Sequence, residues 1–266
     1  MNNIDDGTVL KDSRIKVMRN DSIGGYSWDS SRATINDGYG INEWSQADLN
    51  MLLNNYFYDS KIQQQCYVDQ DEITEICNFD TVGLQEVAQE KIENAIWNIG
   101  SNGTNDISTL TFKNIYNYER GNLSSKVCNN EIYCNDQIIR SYLWTGKIAL
   151  LYPSDYGYAT SSGSSTYKST CLNTVITEWA NVPECIENNW IHQQDKIGMW
   201  LLFSLGTANA GSSVLKVHSD GYINSNNGYG NRTQQTKPTA YLKKEVFITG
   251  GEGTETNPFV ISTRKE

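Results

Sequence analysis

The sequence predicts an α+β fold. Three observations carry that expectation. Apolar residues recur at helical spacing only in the first half, strand-length apolar runs fill the second half after Gly146, and the two kinds of segment never alternate as a doubly wound sheet requires. With 266 residues the chain is long enough to bury a sizeable core. It shows neither an internal repeat nor a linker, so residues 1–266 are expected to form a single domain.

The turn signal Asp5-Asp6-Gly7 precedes Val9 to Arg19, where Ile15 and Val17 alternate with Lys16 and Met18 as in a strand. A hairpin turn so close to residue 1 leaves little for its first strand, which is therefore expected to be truncated. From Asn20 to Glu43 the chain reads as loop, with Gly24-Gly25, Gly38-x-Gly40 and the aromatic anchors Tyr26 and Trp28. Ser45, three residues before Asp48, forms a variant capping box, and Leu49, Leu52, Leu53, Tyr56 and Phe57 give the following helix one apolar face. A second helix is expected from Asp80 or Thr81 to just before Gly100, on Leu84, Val87, Ala88, Ile92, Ala95 and Ile96, with Gln85, Glu86, Glu90 and Glu93 opposite. A shorter one is expected from Thr109 to Glu119, with Gly121 at its end.

After Gly146, Lys147 to Tyr152 reads as a strand closed by Pro153, and Ser154 to Tyr167 as a loop rich in Ser, Gly and Thr. Met199 to Leu205, Ser213 to His218, Tyr222 to Asn226, Thr239 to Leu242 and Pro258 to Ile261 read as short strands, with a hairpin turn at Ser219-Asp220-Gly221. Most of the sheet is thus expected from the second half, with two or three helices of the first half packed on it.

Twenty-one Lys and Arg against thirty-one Asp and Glu give a net charge of −10, the wrong sign for neutralising phosphates, so nucleic acid is excluded as a partner. No segment reaches the roughly 20 apolar residues of a membrane span. Charged residues are only 20%, so solubility rests on Asn, Ser, Thr, Gly and Tyr, a balance typical of extracellular proteins.

Six cysteines stand at 66, 77, 128, 134, 171 and 185, in three local couples. Several connectivities are open to six cysteines, and Cys66–Cys77, Cys128–Cys134 and Cys171–Cys185 are the economical choice. Zinc would require a C-x2-C knuckle or close-spaced histidines, and His192 and His218 lie beside no cysteine. Disulfides imply an oxidising compartment, at the cell surface or outside it.

The stretches Ser22-Ile-Gly-Gly-Tyr-Ser-Trp-Asp29, Gly38-Tyr-Gly-Ile-Asn-Glu-Trp-Ser-Gln-Ala-Asp-Leu49, Trp144-Thr-Gly-Lys-Ile-Ala-Leu-Leu-Tyr-Pro-Ser-Asp-Tyr-Gly-Tyr-Ala-Thr160 and Gly250-Gly-Glu-Gly-Thr-Glu-Thr-Asn-Pro-Phe-Val-Ile261 resemble an uncharacterised family of Firmicutes surface proteins. That family is related to C-type-lectin-like domains of the formylglycine-generating-enzyme type. The resemblance covers about residues 14 to 261 and implies a C-type-lectin-like domain with long, disulfide-pinned loops, in which the strand near Ile15 shares a sheet with Pro258 to Ile261. Gln235-Thr236-Lys237-Pro238 departs from the family's usual Gly-Val-Arg-Pro, and no cysteine follows Cys185, so the converting enzymes' chemistry does not carry over.

Catalytic patterns are weak. Asp69-x-Asp71 begins like a calcium loop, but Thr74 stands at the glycine position and Asp80 at the position of the final Glu. No cofactor is therefore expected, calcium having no supporting motif. His218-Ser219-Asp220 is turn chemistry rather than a triad. Glu43, Asp48, Glu119 and Asp155 could in principle flank a glycosidic bond, yet no spacing selects two of them. Binding is better supported. Tyr156, Tyr158, Tyr222, Asn226, Asn227, Tyr229 and Arg232 combine aromatic faces with adaptable hydrogen bonds in the second half, the equipment for holding a glycan or a protein loop. Trp200, in an apolar run, is expected in the core. The sequence thus points to a non-catalytic extracellular recognition or adhesion domain. A structural subunit of a surface filament is the alternative, followed by a variable protein of a diversity-generating retroelement with Asn224 to Asn231 as its changing surface.

Overall fold

A computed structural model describes residues 2–5, 10–29, 42–67, 74–99, 107–119, 143–195, 197–205, 213–227, 233–252, 256–257 and 259–263. The first half supplies β1 (Asn2–Asp5), β2 (Leu10–Arg14), β3 (Lys16–Met18), β4 (Gly25–Ser27), α1 (Asp48–Met51), β5 (Ile62–Tyr67), β6 (Thr74–Asn78), α2 (Glu86–Gln89), β7 (Ala95–Asn98) and α3 (Phe112–Tyr118). The second supplies β8 (Leu143–Gly146), β9 (Ile148–Ala149), α4 (Pro153–Tyr158), α5 (Lys168–Asn173), α6 (Pro183–Glu187), α7 (Trp190–Asp195), β10 (Met199–Ser204), β11 (Ser213–Val217), β12 (Ile223–Asn227), β13 (Thr233–Gln235), β14 (Thr239–Tyr241), β15 (Val246–Gly250) and β16 (Val260–Thr263). The fold is α+β, with small, mostly antiparallel sheets.

The largest sheet runs β12-β11-β10-β13-β4 and is antiparallel except where Met199 of β10 pairs parallel with Gln235 of β13. β10 is buried along its whole length, as a strand covered on both faces must be. Its side chains alternate between two cores. Trp200 and Leu202 join Trp28, Trp44, Leu53 and Val214 on one side. Met199, Leu201 and Phe203 join Phe112, Tyr156, Trp179 and Leu215 on the other. Trp200 also donates through Nε1 to the Tyr26 carbonyl at 2.8 Å, so burial leaves its polar group satisfied.

A second sheet, β3-β14-β9, leaves β3 at an edge. β1 and β2 form the hairpin expected around Asp5, and β11 and β12 the one expected around Asp220. Gly221 takes φ 89° in that turn, and a Cβ there would lie 2.5 Å from Ile186, so only glycine fits. Cys66–Cys77 joins β5 to β6, and Cys171–Cys185 joins α5 to α6. Cys128 and Cys134 lie outside the described residues, as does the Asp69-x-Asp71 segment.

The helix expected after Ser45 forms as α1 and continues through the π-helical Leu52–Phe57. α3 occupies the third expected helix. The second is corrected: only Glu86–Gln89 is helical. Ala95 to Asn98 instead pairs with β8, and Trp97 donates through Nε1 to the Gly146 carbonyl at 3.0 Å. Ala95, Trp97 and Ile99 are buried, a period-2 face that pairing selects over the overlapping helical spacing. The loop expected at Ser154 to Tyr167 is corrected in its first part, because Pro153 opens α4 at a helical first position. With α5, α6 and α7, the helices are therefore not confined to the first half. The expected sheet shared by the strand near Ile15 and Pro258 to Ile261 is overturned: β3 pairs with β14, and β16 pairs with β15. Among the described residues no helix is long and apolar enough to cross a membrane.

Candidate ligand-binding cleft

α4 and α7 converge on β3. Asp155, in the first turn of α4, accepts from the Tyr152 backbone N–H at 3.0 Å, closing the start of the helix. The same oxygen accepts from Lys16 Nζ at 2.6 Å. The Lys16 ammonium lies 4.4 Å from the Tyr152 ring centre and 5.1 Å from that of Tyr241, an arrangement that adds cation–π attraction. Burial alone would pull the Lys16 ammonium down, but the Asp155 carboxylate and the Tyr241 hydroxyl outweigh it and hold its pKa above the ordinary value. Lys16 is therefore charged at neutral pH.

Beside this pair opens a cleft of about 260 Å³, lined by Val17, Met18, Leu151, Ala159 and Ile191 and flanked by Tyr158 and Trp190. Those two rings are 41% and 56% exposed. Large aromatic faces left in water beside a recess are the feature that most needs a functional reason. Tyr158 is steadied by the Tyr116 ring at 5.5 Å and by Lys168, whose ammonium donates to the Tyr158 carbonyl.

Trp190 is set by the residue before it. Asn189 is fully buried and caps α7, its Oδ1 accepting from the N–H groups of Ile191 and His192 at 3.1 Å each. Its Nδ2 donates to the Tyr156 carbonyl at 2.7 Å and to Thr160 Oγ1 at 2.9 Å. One amide thus ties α7 to α4 and fixes the Tyr158–Trp190 pair.

Of the residues singled out from sequence, Tyr158 lines the cleft. Tyr156 is a core residue, its hydroxyl donating to the Gly221 carbonyl at 2.7 Å and its pKa pushed up by burial, so it presents no face to a ligand. Tyr222 is half-buried and stacks on His218 with ring centres 4.6 Å apart, outside the cleft lining. Asn226 and Asn227 belong to β12, where their backbones pair with Val214 and Ser213. Tyr229 and Arg232 lie outside the described residues. Sequence reading missed Lys16 and Trp190. For Trp190 a signal existed, an indole in the polar run Glu187-Asn188-Asn189-Trp190.

The carboxylates are committed elsewhere. Glu119 accepts from the Ser154 N–H at 2.8 Å and from its hydroxyl, Asp155 holds Lys16, and Glu43 accepts from Ser45 at 2.5 Å. Among the described residues no group of three or more His, Cys, Asp or Glu could hold a metal ion. Compared with protein-family models, curated proteins and solved structures, the chain finds no match.

Proposed function

We propose that this protein is a non-catalytic extracellular recognition domain that holds a glycan in the cleft between α4, α7 and β3. One observation carries the reading: two exposed rings, Tyr158 and Trp190, flank a recess whose polar end is the Lys16–Asp155 pair. Sugar rings present apolar C–H faces and hydroxyl edges, which such walls and such a polar end complement. The pair carries no net charge, which favours a neutral sugar over an anionic one. A cleft of about 260 Å³ is smaller than the roughly 300–1,000 Å³ of drug-sized ligand sites and suits one sugar unit. The disulfides Cys66–Cys77 and Cys171–Cys185 and the sparsely charged composition support an extracellular setting. A glycan array probed with and without chelator tests the reading. Binding to neutral glycans that survives chelation and is lost in Trp190→Ala supports it, and an array blank for the intact protein opposes it.

A further inference from the structure

Inside the cleft the charges of Lys16 and Asp155 cancel. At its Tyr158 wall stands a second cation. Lys168, the first residue of α5, holds its ammonium 5.5 Å from the centre of the Tyr158 ring and donates to the Tyr158 carbonyl. The residue is half-buried, as a lysine is when its stem covers an apolar surface and its head stays in water. Its backbone N–H donates to Ser162 Oγ at 3.2 Å, and the Gly163 N–H closes the intervening turn on the Thr166 carbonyl at 2.8 Å. A cation placed in this way loses little freedom when a ligand meets it.

An ammonium has three donors, and the Tyr158 carbonyl takes one. Among the described residues no carboxylate forms an ion pair with Lys168, whereas Arg14, Lys16 and Lys61 each have one. The acids of the adjoining elements are engaged elsewhere. Glu119 accepts from the Ser154 N–H, and Glu184 accepts from Ser164 Oγ at 2.8 Å and from the Ser165 N–H at 3.0 Å. Exposed Lys113 stands one turn before Tyr116 on α3, and the Tyr116 ring packs on that of Tyr158. Toward the other wall, the exposed acid Glu187 precedes Trp190 by three residues. In a chain whose net charge is −10, the Tyr158 side of the cleft is thus the side that favours an anion.

Resting on the glycan reading of the cleft, we infer that the preferred ligand is an acidic oligosaccharide: a neutral unit lies between Tyr158 and Trp190, and the next unit, beyond Tyr158, carries an anionic group that pairs with Lys168. The neutral pair at the polar end selects the first unit, and the ammonium selects the second. A lysine acts as a point charge, so the carboxylate of a uronic acid and a sulfate ester offer it the same chemistry.

Matched oligosaccharides test this on the whole chain. Neutral chains are printed on an array beside the same chains carrying one glucuronic acid or one sulfated sugar, and calorimetry measures the pairs that bind. The acidic member is expected to bind about threefold or more tighter, with an advantage that shrinks as salt rises from about 0.05 M to about 0.5 M. The glucuronic and sulfated arms separate the two anions, and an advantage in either supports the inference. Lys168→Gln keeps a donor for the Tyr158 carbonyl and removes the charge, so the two members should bind alike, and Lys168→Glu should reverse the preference. Equal affinity within the pairs, an advantage indifferent to salt, or a preference that Lys168→Gln leaves in place would each overturn the inference while the glycan reading stands. No binding to any chain would overturn both.

Discussion

Lys16 and Asp155, 139 residues apart in sequence, meet at 2.6 Å under three aromatic rings. The contact fastens β3 to the first turn of α4 and forms the polar end of the cleft. Their side chains are 7% and 16% exposed, so each depends on the other for compensation. Lys16→Met should destabilise by about 2–4 kcal/mol, somewhat below a fully buried pair because Asp155 keeps some water. Lys16→Met with Asp155→Asn should recover part of the loss. Urea unfolding midpoints of the three proteins measure this, and equal midpoints would remove the pair from the account.

Asn189 is expected to matter for both stability and binding. Asn189→Ala removes a cap and leaves the Tyr156 carbonyl and two α7 amides short of partners, at a cost of about 1–3 kcal/mol. The same change should weaken glycan binding although Asn189 touches no ligand, because Trp190 loses its anchor. Thermal unfolding alongside a binding isotherm checks both.

Alkaline titration should show tyrosines in two classes. Burial, then the nearby Glu75 carboxylate, pushes Tyr26 up to about 12. Burial also holds Tyr152 and Tyr156 above the ordinary range. A raised folded-state pKa means that stability is whole below the unfolded value near 10 and is lost as pH rises through the folded one. For Tyr26 the window is pH 10 to about 12. Phenolate absorbance should therefore rise in two steps, the late one shrinking in Tyr26→Phe. All sixteen tyrosines ionising together in the native protein would contradict the burial described.

The Cys171–Cys185 bridge joins two short helices through cysteines 14 positions apart in sequence. Helices of this length are marginal alone. Cys171→Ala/Cys185→Ala should cost about 2–4 kcal/mol, and amide exchange should accelerate first in α5 and α6, whose packing orients Asn189. Unchanged exchange there would show that the core around Trp179 suffices without the bridge.

What the sequence revealed follows the range of the forces involved. The helix at Asp48–Phe57 repeats its apolar face over ten residues, and β10 is a continuous apolar run, so local pattern declares both. α4 to α7 are five or six residues each, too short for a periodicity, and two begin with a proline that also reads as turn punctuation. Ala95 to Asn98 carries apolar spacings compatible with helix or strand, and only the partner strand at Leu143–Gly146 decides. The alternation of Ile15 and Val17 with Lys16 and Met18 declares a strand but carries no sign that Lys16 is buried. Its burial arises when Trp97, Tyr152 and Tyr241, from three distant segments, close over it. Tyr158 was legible as an aromatic among small polar residues, whereas Tyr156, two positions away, falls on the buried side of α4.

The cleft itself is tested most directly by calorimetry with a neutral glycan that the intact protein binds on the array, comparing Trp190→Ala and Tyr158→Ala with the parent. Both rings are exposed, so their removal leaves the core intact. Loss of about 2 kcal/mol or more of binding free energy in Trp190→Ala, with a smaller loss in Tyr158→Ala, is the predicted result. Parent-like affinity in both variants would place the binding surface elsewhere on the molecule.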